Sequence, residues 1–123
     1  GYAEAFAEVE RRGAQALLVG SHQFFVRDRR IIIAAAERLR LAAMYEWRHQ
    51  VEDGGLMSFG ADIRERYGRV AAYVDRILKG ARPADLPFEQ PAALRLIVSL
   101  KAARAIGLEL PPGFLARADE VIE

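Results

Sequence analysis

Cysteine is absent from the 123 residues, which excludes disulfides, thiolate metal sites and cysteine nucleophiles. That absence suits an oxidising compartment without establishing one. No run of apolar residues approaches the roughly eighteen needed to span a bilayer, so membrane insertion is not expected. Neither charge dominates: 18 Lys and Arg stand against 17 Asp and Glu, a formal net charge of +1. With no basic block, phosphate neutralisation cannot supply affinity, and the balance argues against a nucleic-acid binder. The opening Gly1-Tyr2-Ala3-Glu4 lacks the charged and apolar regions of a signal peptide. An exported protein would therefore carry this sequence as a processed or excised piece. What is present is ordinary globular composition, 52% hydrophobic and 28% charged, in a length that suits one domain.

Hydrophobic periodicity predicts alternating helices and strands. Tyr2, Phe6 and Val9 recur at helical spacing among charged residues, and Gly13 is placed to stop that helix. Residues 14–20 are short and charge-free, the pattern of a strand covered on both faces of a parallel sheet. Ser21-His22-Gln23 then reads as a loop. Ile31-Ile32-Ile33 alone favours a strand, but the flanking Ala34-Ala35-Ala36-Glu37-Arg38-Leu39 decides for a helix over 27–40. Strands are predicted at 41–45, 56–60 and 94–98, with a helical turn around Trp47–Val51. Ile63, Tyr67, Val70, Val74, Ile77 and Leu78 define a long helix over 61–79, ended by Gly80. Prolines make 81–87 a connector. Ser99 caps a short helix to Ile106, and a helical turn follows Pro111-Pro112. The fold class is α/β: a mostly parallel sheet with helices on both faces. In such sheets ligands sit at the carboxyl ends of the strands. That criterion selects Ser21, His22, Tyr45, Ser58, Phe59 and Gly60 as candidate ligand-binding residues.

Catalytic constellations are weak. A Ser–His–Asp reading from Ser21, Ser58, His22, His49 and Asp28 lacks the G-x-S-x-G elbow. The plainer reading is that these polar residues satisfy loop backbone, and no catalytic residue is assigned. A metal site from His22, Glu46, His49 and Asp53 lacks the H-E-x-x-H spacing, and Gly54-Gly55 ends any helix there. The same glycine pair precedes a strand rather than a helix, so the phosphate-binding fingerprints are not met and no cofactor is expected. Phe24, Phe25 and Trp47 read as core aromatics. Phe59 is the exception, next to Gly60 at a strand end where a ligand has room to stack.

Blocks along the chain carry a resemblance. Gly54-Gly55-Leu56-Met57-Ser58-Phe59-Gly60, then residues 73–87 (Tyr73 to Pro87), then Leu100-Lys101-Ala102-Ala103-Arg104-Ala105-Ile106-Gly107-Leu108 and the terminal Leu115–Ile122 resemble the substrate-binding proteins of a family of bacterial ABC importers. Residues 1–45 fit with looser identity. The resemblance implies a type I periplasmic binding protein-like architecture, two flavodoxin-like three-layer α/β lobes trapping a small solute. Members are longer, so the chain corresponds to the C-terminal portion, with most of the first lobe absent. Residues 1–60 are then second-lobe α/β segment; 61–123 hold a hinge-crossing helix, the Pro-rich connector and a C-terminal strand–helix segment, together one α/β domain. Two departures fall where solute would be contacted: Ser21-His22-Gln23 replaces a common Asp-Pro pair, and Phe59 stands where Tyr is common.

The function so implied is solute binding for ABC import, with a small organic solute such as an amino acid, an ABC permease subunit as partner, and a periplasmic or extracytoplasmic location. A sensor domain of a signalling protein is the rival, and an α/β hydrolase ranks last. The apolar stripe of 61–79 must be buried on the chain's own sheet or on a second copy. A homodimer is the favoured expectation, with the 80–87 connector as a hinge for exchange.

Overall fold

Alternating residues of the second strand sort the molecule into layers. Ala43 and Tyr45 belong to one apolar cluster, with Phe6, Val19, Ile32, Ile33 and Ala36. Ala42 and Met44 pack on the other, with Leu56, Met57, Val98 and Ala103. This two-sided burial follows from the period of two in a strand. The computed structural model describes residues 1–91 and 93–123. Its elements are α1 (Tyr2–Arg11), β1 (Ala16–Leu18), α2 (Gln23–Arg27), α3 (Arg29–Arg38), β2 (Ala42–Tyr45), α4 (Arg48–Glu52) and β3 (Met57–Ala61). After these come α5 (Ile63–Leu78), a 3-10 turn (Pro83–Asp85), β4 (Leu94–Ser99), α6 (Leu100–Ala105), α7 (Pro112–Leu115) and β5 (Glu120–Ile122).

The five strands form one sheet in the order β1-β2-β3-β4-β5. β3 and β4 run antiparallel, with Ser58 opposite Ile97 and Gly60 opposite Arg95; the other three pairings are parallel. The fold is therefore the expected α/β sheet, mostly parallel, with α1 and α3 over one face and α6 and α7 over the other. The antiparallel return has a consequence for position. The carboxyl ends of β2 and β3 lie at the same edge as the amino ends of β4 and β5.

Four expectations are corrected. The strand predicted over 14–20 is only Ala16–Leu18, and it is an edge strand: Leu17 packs on the core, but Leu18, on the other face, is 78% exposed. The predicted loop 21–23 ends at His22. Its side chain accepts the Phe24 N–H and starts α2 at Gln23, so the helix expected over 27–40 becomes α2 and α3, divided at Asp28. The C-terminal residues form β5, which pairs parallel with β4 and was not expected. Finally, α5 has no buried residue. The sheet's two faces are already occupied by α1, α3, α6 and α7, so burial of the α5 stripe on the chain's own sheet does not occur. Tyr67, Val70 and Val74 are exposed, and Leu78 is 81% exposed. The helix is instead tied to the connector, where the Tyr73 hydroxyl donates to the Pro87 carbonyl (2.5 Å) and Arg69 pairs with Glu89 (2.6 Å).

Candidate functional site

A concavity of about 390 Å³ opens where the carboxyl ends of β2 and β3 meet the amino ends of β4 and β5. That volume is in the range of small-molecule sites. Glu46 and Trp47 enter it directly after β2, Ser58 and Gly60 from β3, Arg95 from β4, and Asp119 and Glu120 from the start of β5. Gly60 is there for space. A Cβ at this position would lie 2.3 Å from the Glu46 carbonyl oxygen and 3.3 Å from its Cγ, so only glycine lets β3 approach β2 so closely.

Most of the charge around the concavity is already engaged. Arg48 forms a forked pair with Glu120 and a 2.6 Å bond to Glu52. Glu120, more than Glu52, raises the Arg48 guanidinium above its ordinary value, and Arg48 lowers the Glu120 carboxyl. Asp62 accepts the Arg64 N–H (2.8 Å) and caps α5; Asp119 accepts the Leu96 N–H (2.7 Å). Gln50, a buried residue of α4, accepts the Trp47 backbone N–H at 2.9 Å, and the Arg66 guanidinium lies 5.8 Å from the Trp47 ring centroid. Glu46 differs. Its Oε2 is buried without a hydrogen-bond partner, the one such side-chain atom among the described residues. The side chains of Arg64 and Arg95, also on the lining, have no ion pair among the described residues.

The six residues predicted from strand ends are not brought together. Ser58 and Gly60 line the concavity. Tyr45 is on the same side of the sheet as its register partner Ser58 but not on the lining: it packs in the core with Ala43, is 2% exposed, and burial pushes its hydroxyl up to about 12. Phe59 lies between Ser58 and Gly60 in sequence, so strand alternation turns it to the opposite face, where it is 48% exposed. His22 is occupied by the helix cap and by its contacts with the Phe24 and Phe25 rings, 4.9 and 5.7 Å between centroids. Ser21 is exposed beside it, on the β1 edge.

Sequence reasoning weighed Glu46 only as a metal candidate and Trp47 only as a core aromatic, and missed Arg95, Asp119 and Glu120. Arg95, Asp119 and Glu120 depend on the antiparallel return and on β5, for which the sequence carries no local signal. Of the other polar candidates, Asp53 is paired with Arg29 (2.5 Å) and His49 lies on the lining. Among the described residues no hydrogen bond joins Ser21 or Ser58 to a histidine. The lining offers recognition chemistry: carboxylates, guanidinium groups, a hydroxyl and an indole.

Residues 5–122 match the family model described as ABC transporter substrate binding protein. A search of curated proteins finds no match. Similar solved structures include a conserved domain protein from Vibrio cholerae O1 biovar El Tor (TM-score 0.87, 23% identity), covering 96% of this chain and 40% of that one. The ABC domain in complex with L-Trp from Streptococcus pneumoniae superposes with a TM-score of 0.80 at 23% identity, over 88% of this chain and 38% of that one. A ligand-free, open substrate-binding protein with adhesive properties from Clostridium difficile gives 0.63 at 17% identity, over 97% and 39%. At these identities the likeness establishes the fold. The chain spans about 40% of the length of the first of these relatives.

Proposed function

The chain belongs to the ABC transporter substrate-binding protein family, and from that premise we propose that it binds a small organic solute, an amino acid being the leading class, for an ABC import system. The observation that carries the reading is the concavity at the edge shared by β2, β3, β4 and β5, with ionic, hydroxyl and indole groups facing one space. Such a mix holds a small zwitterion by its charged ends and covers its apolar part. The L-Trp held by the pneumococcal relative supports the amino-acid class.

In this reading the module performs no covalent step. Affinity comes from enclosing solute between this lobe and another, and closure reports occupancy to a permease subunit. The working location is periplasmic or extracytoplasmic; no helix among the described residues is long and apolar enough to cross a membrane. Ser58 and Gly60 are the predicted residues kept as solute contacts. Ser21, His22, Tyr45 and Phe59 would need a moved backbone or a facing lobe to take part. The uncovered α5 stripe is where the first lobe packs in the whole protein, residues 61–79 acting as the hinge-crossing helix. A homodimer of this chain on the same stripe is distinguished by light scattering.

The test is a thermal-shift screen of the protein against amino acids, small organic acids and sugars. A ligand that binds the folded state stabilises it by mass action, by about 2.7 kcal/mol at a hundredfold excess over Kd, and so raises the midpoint. A saturable rise with one solute class is expected. A flat response across all three classes overturns the reading.

A further inference from the structure

We propose that Glu46 is the residue that selects solutes bearing a primary ammonium group; the inference rests on the solute-binding reading above and sharpens it. Three observations carry it. First, the other carboxylates on the lining have partners in the protein. Arg48 takes Glu52 and Glu120, and the backbone N–H groups of Arg64 and Leu96 take Asp62 and Asp119. Only Glu46, among the described residues, has a carboxylate oxygen withdrawn from water with no donor. A buried acceptor without a donor is a cost to the fold, larger when it is charged. Such a cost is met when a cation arrives from outside.

Second, the position is built with care. Gly60 lies against the Glu46 backbone and Cγ at distances that no side chain tolerates, so β3 pins Glu46 at the rim of the concavity. Third, the charge on the lining is complementary to a zwitterion rather than to a simple cation. Arg64 and Arg95 present guanidinium groups without partners among the described residues, and these match a solute carboxylate while Glu46 matches its ammonium. Trp47, the residue after Glu46, is also on the lining and offers its ring to the rest of the solute.

The experiment compares matched trios on the intact protein by calorimetry: L-tryptophan, tryptamine and indolepropionate, then L-leucine, isoamylamine and isocaproate. The expected order in each binding trio is amino acid first, amine second, acid last. In Glu46→Gln the advantage of the amino acid over the acid falls by roughly thirtyfold or more, as for loss of one partner of a desolvated charge pair. The unliganded variant should melt at the wild-type temperature or above it, because the uncompensated carboxylate is gone; a purely structural role for Glu46 would lower it instead. An acid that binds wild type as well as its amino acid overturns the assignment without any variant, so a variant that fails to fold leaves the test intact. If sugars or organic acids bind while neither amino acids nor amines do, the Glu46 assignment fails and solute binding stands. If nothing binds, both fail.

Discussion

Helices α3 and α5 are written in the same pattern and meet opposite fates. Each places apolar residues at helical spacing among Arg and Glu. In α3 the apolar side closes on the sheet, burying Ile32, Ile33 and Ala36. In α5, sixteen residues long, the equivalent side buries nothing. The difference lies in what each helix faces. α3 precedes β2 and lies back over Ala43 and Tyr45, whereas α5 leaves the sheet at Ala61 and returns only through the connector to Leu94. Periodicity states which face of a helix requires cover, and topology decides whether the cover belongs to the same stretch of chain. An uncovered stripe of this length is the mark of an interface.

The comparison breaks most readily through paired truncations. Ile32→Ala should cost about 2–5 kcal/mol, as a buried large-to-small change does. Val74→Ala on the α5 stripe should fall within about 0.5 kcal/mol. Urea midpoints with unchanged slopes give both values. Should Val74→Ala cost as much as Ile32→Ala, α5 is covered in solution, and its concentration dependence would reveal a second copy of the chain.

The next effect tests how tightly the closed half is built. Gly60→Ala forces a methyl onto the Glu46 carbonyl, and overpacking of that kind costs about 1–3 kcal/mol. Gly20→Ala meets nothing within 4 Å and should be neutral or slightly stabilising. Equal losses at the two positions would mean that β2 and β3 are not held as close as described.

How much of this was legible depended on whether a residue's environment is local. The apolar faces of α1, α3 and α5, the Ser99 cap and the cores of β2, β3 and β4 follow from composition and period, and they appear where expected. The family blocks likewise led to the right fold. Exposure of β1 was not legible: Ala14 to Gly20 reads as a covered strand, yet its place at the sheet edge is a property of strand order, which no seven-residue window contains. The site failed for a related reason. Nearness to a strand end does not say whether a side chain is free or which face it takes: Tyr45 shares the Ser58 side of the sheet yet is buried in the core, and Phe59 alternates to the opposite face. Arg95, Asp119 and Glu120 are brought to the concavity by the pairing of Gly60 with Arg95 and of Ile97 with Glu120, contacts that no local window contains.

Helix caps sharpen the comparison at smaller scale. Ser99 accepts the Ala102 N–H at 3.1 Å beside a buried Val98, and Ser99→Ala should cost about 1 kcal/mol of global stability. Asp62 caps α5 in the same manner, yet α5 shares little surface with the core. Asp62→Ala should therefore fray the first turn of α5, seen as faster amide exchange, with less movement of the global midpoint. A larger global loss from the α5 cap would place that helix inside the cooperative unit.

The smallest effect concerns pH and lies in the closed half. Asp28, at the break between α2 and α3, accepts hydrogen bonds from Arg27 (2.7 and 2.8 Å) and from the Tyr2 hydroxyl of α1 (2.9 Å). The Arg27 bond first, and the Tyr2 bond second, hold its carboxyl at about 2 against an ordinary 3.8. A carboxyl whose folded value lies below its unfolded one contributes its stabilisation fully above the unfolded value and loses it as pH falls toward the folded one. The advantage of wild type over Asp28→Asn should thus be constant from neutral pH down to about pH 5, then shrink between about 4 and 2. Thermal midpoints of the two proteins across that range measure it. Arg27 is exposed and salt screens such a pair, so the shrinkage should weaken as ionic strength rises. A difference that stays constant down to pH 2 would mean that Asp28 holds α1 to α3 by shape alone, with no part for its charge.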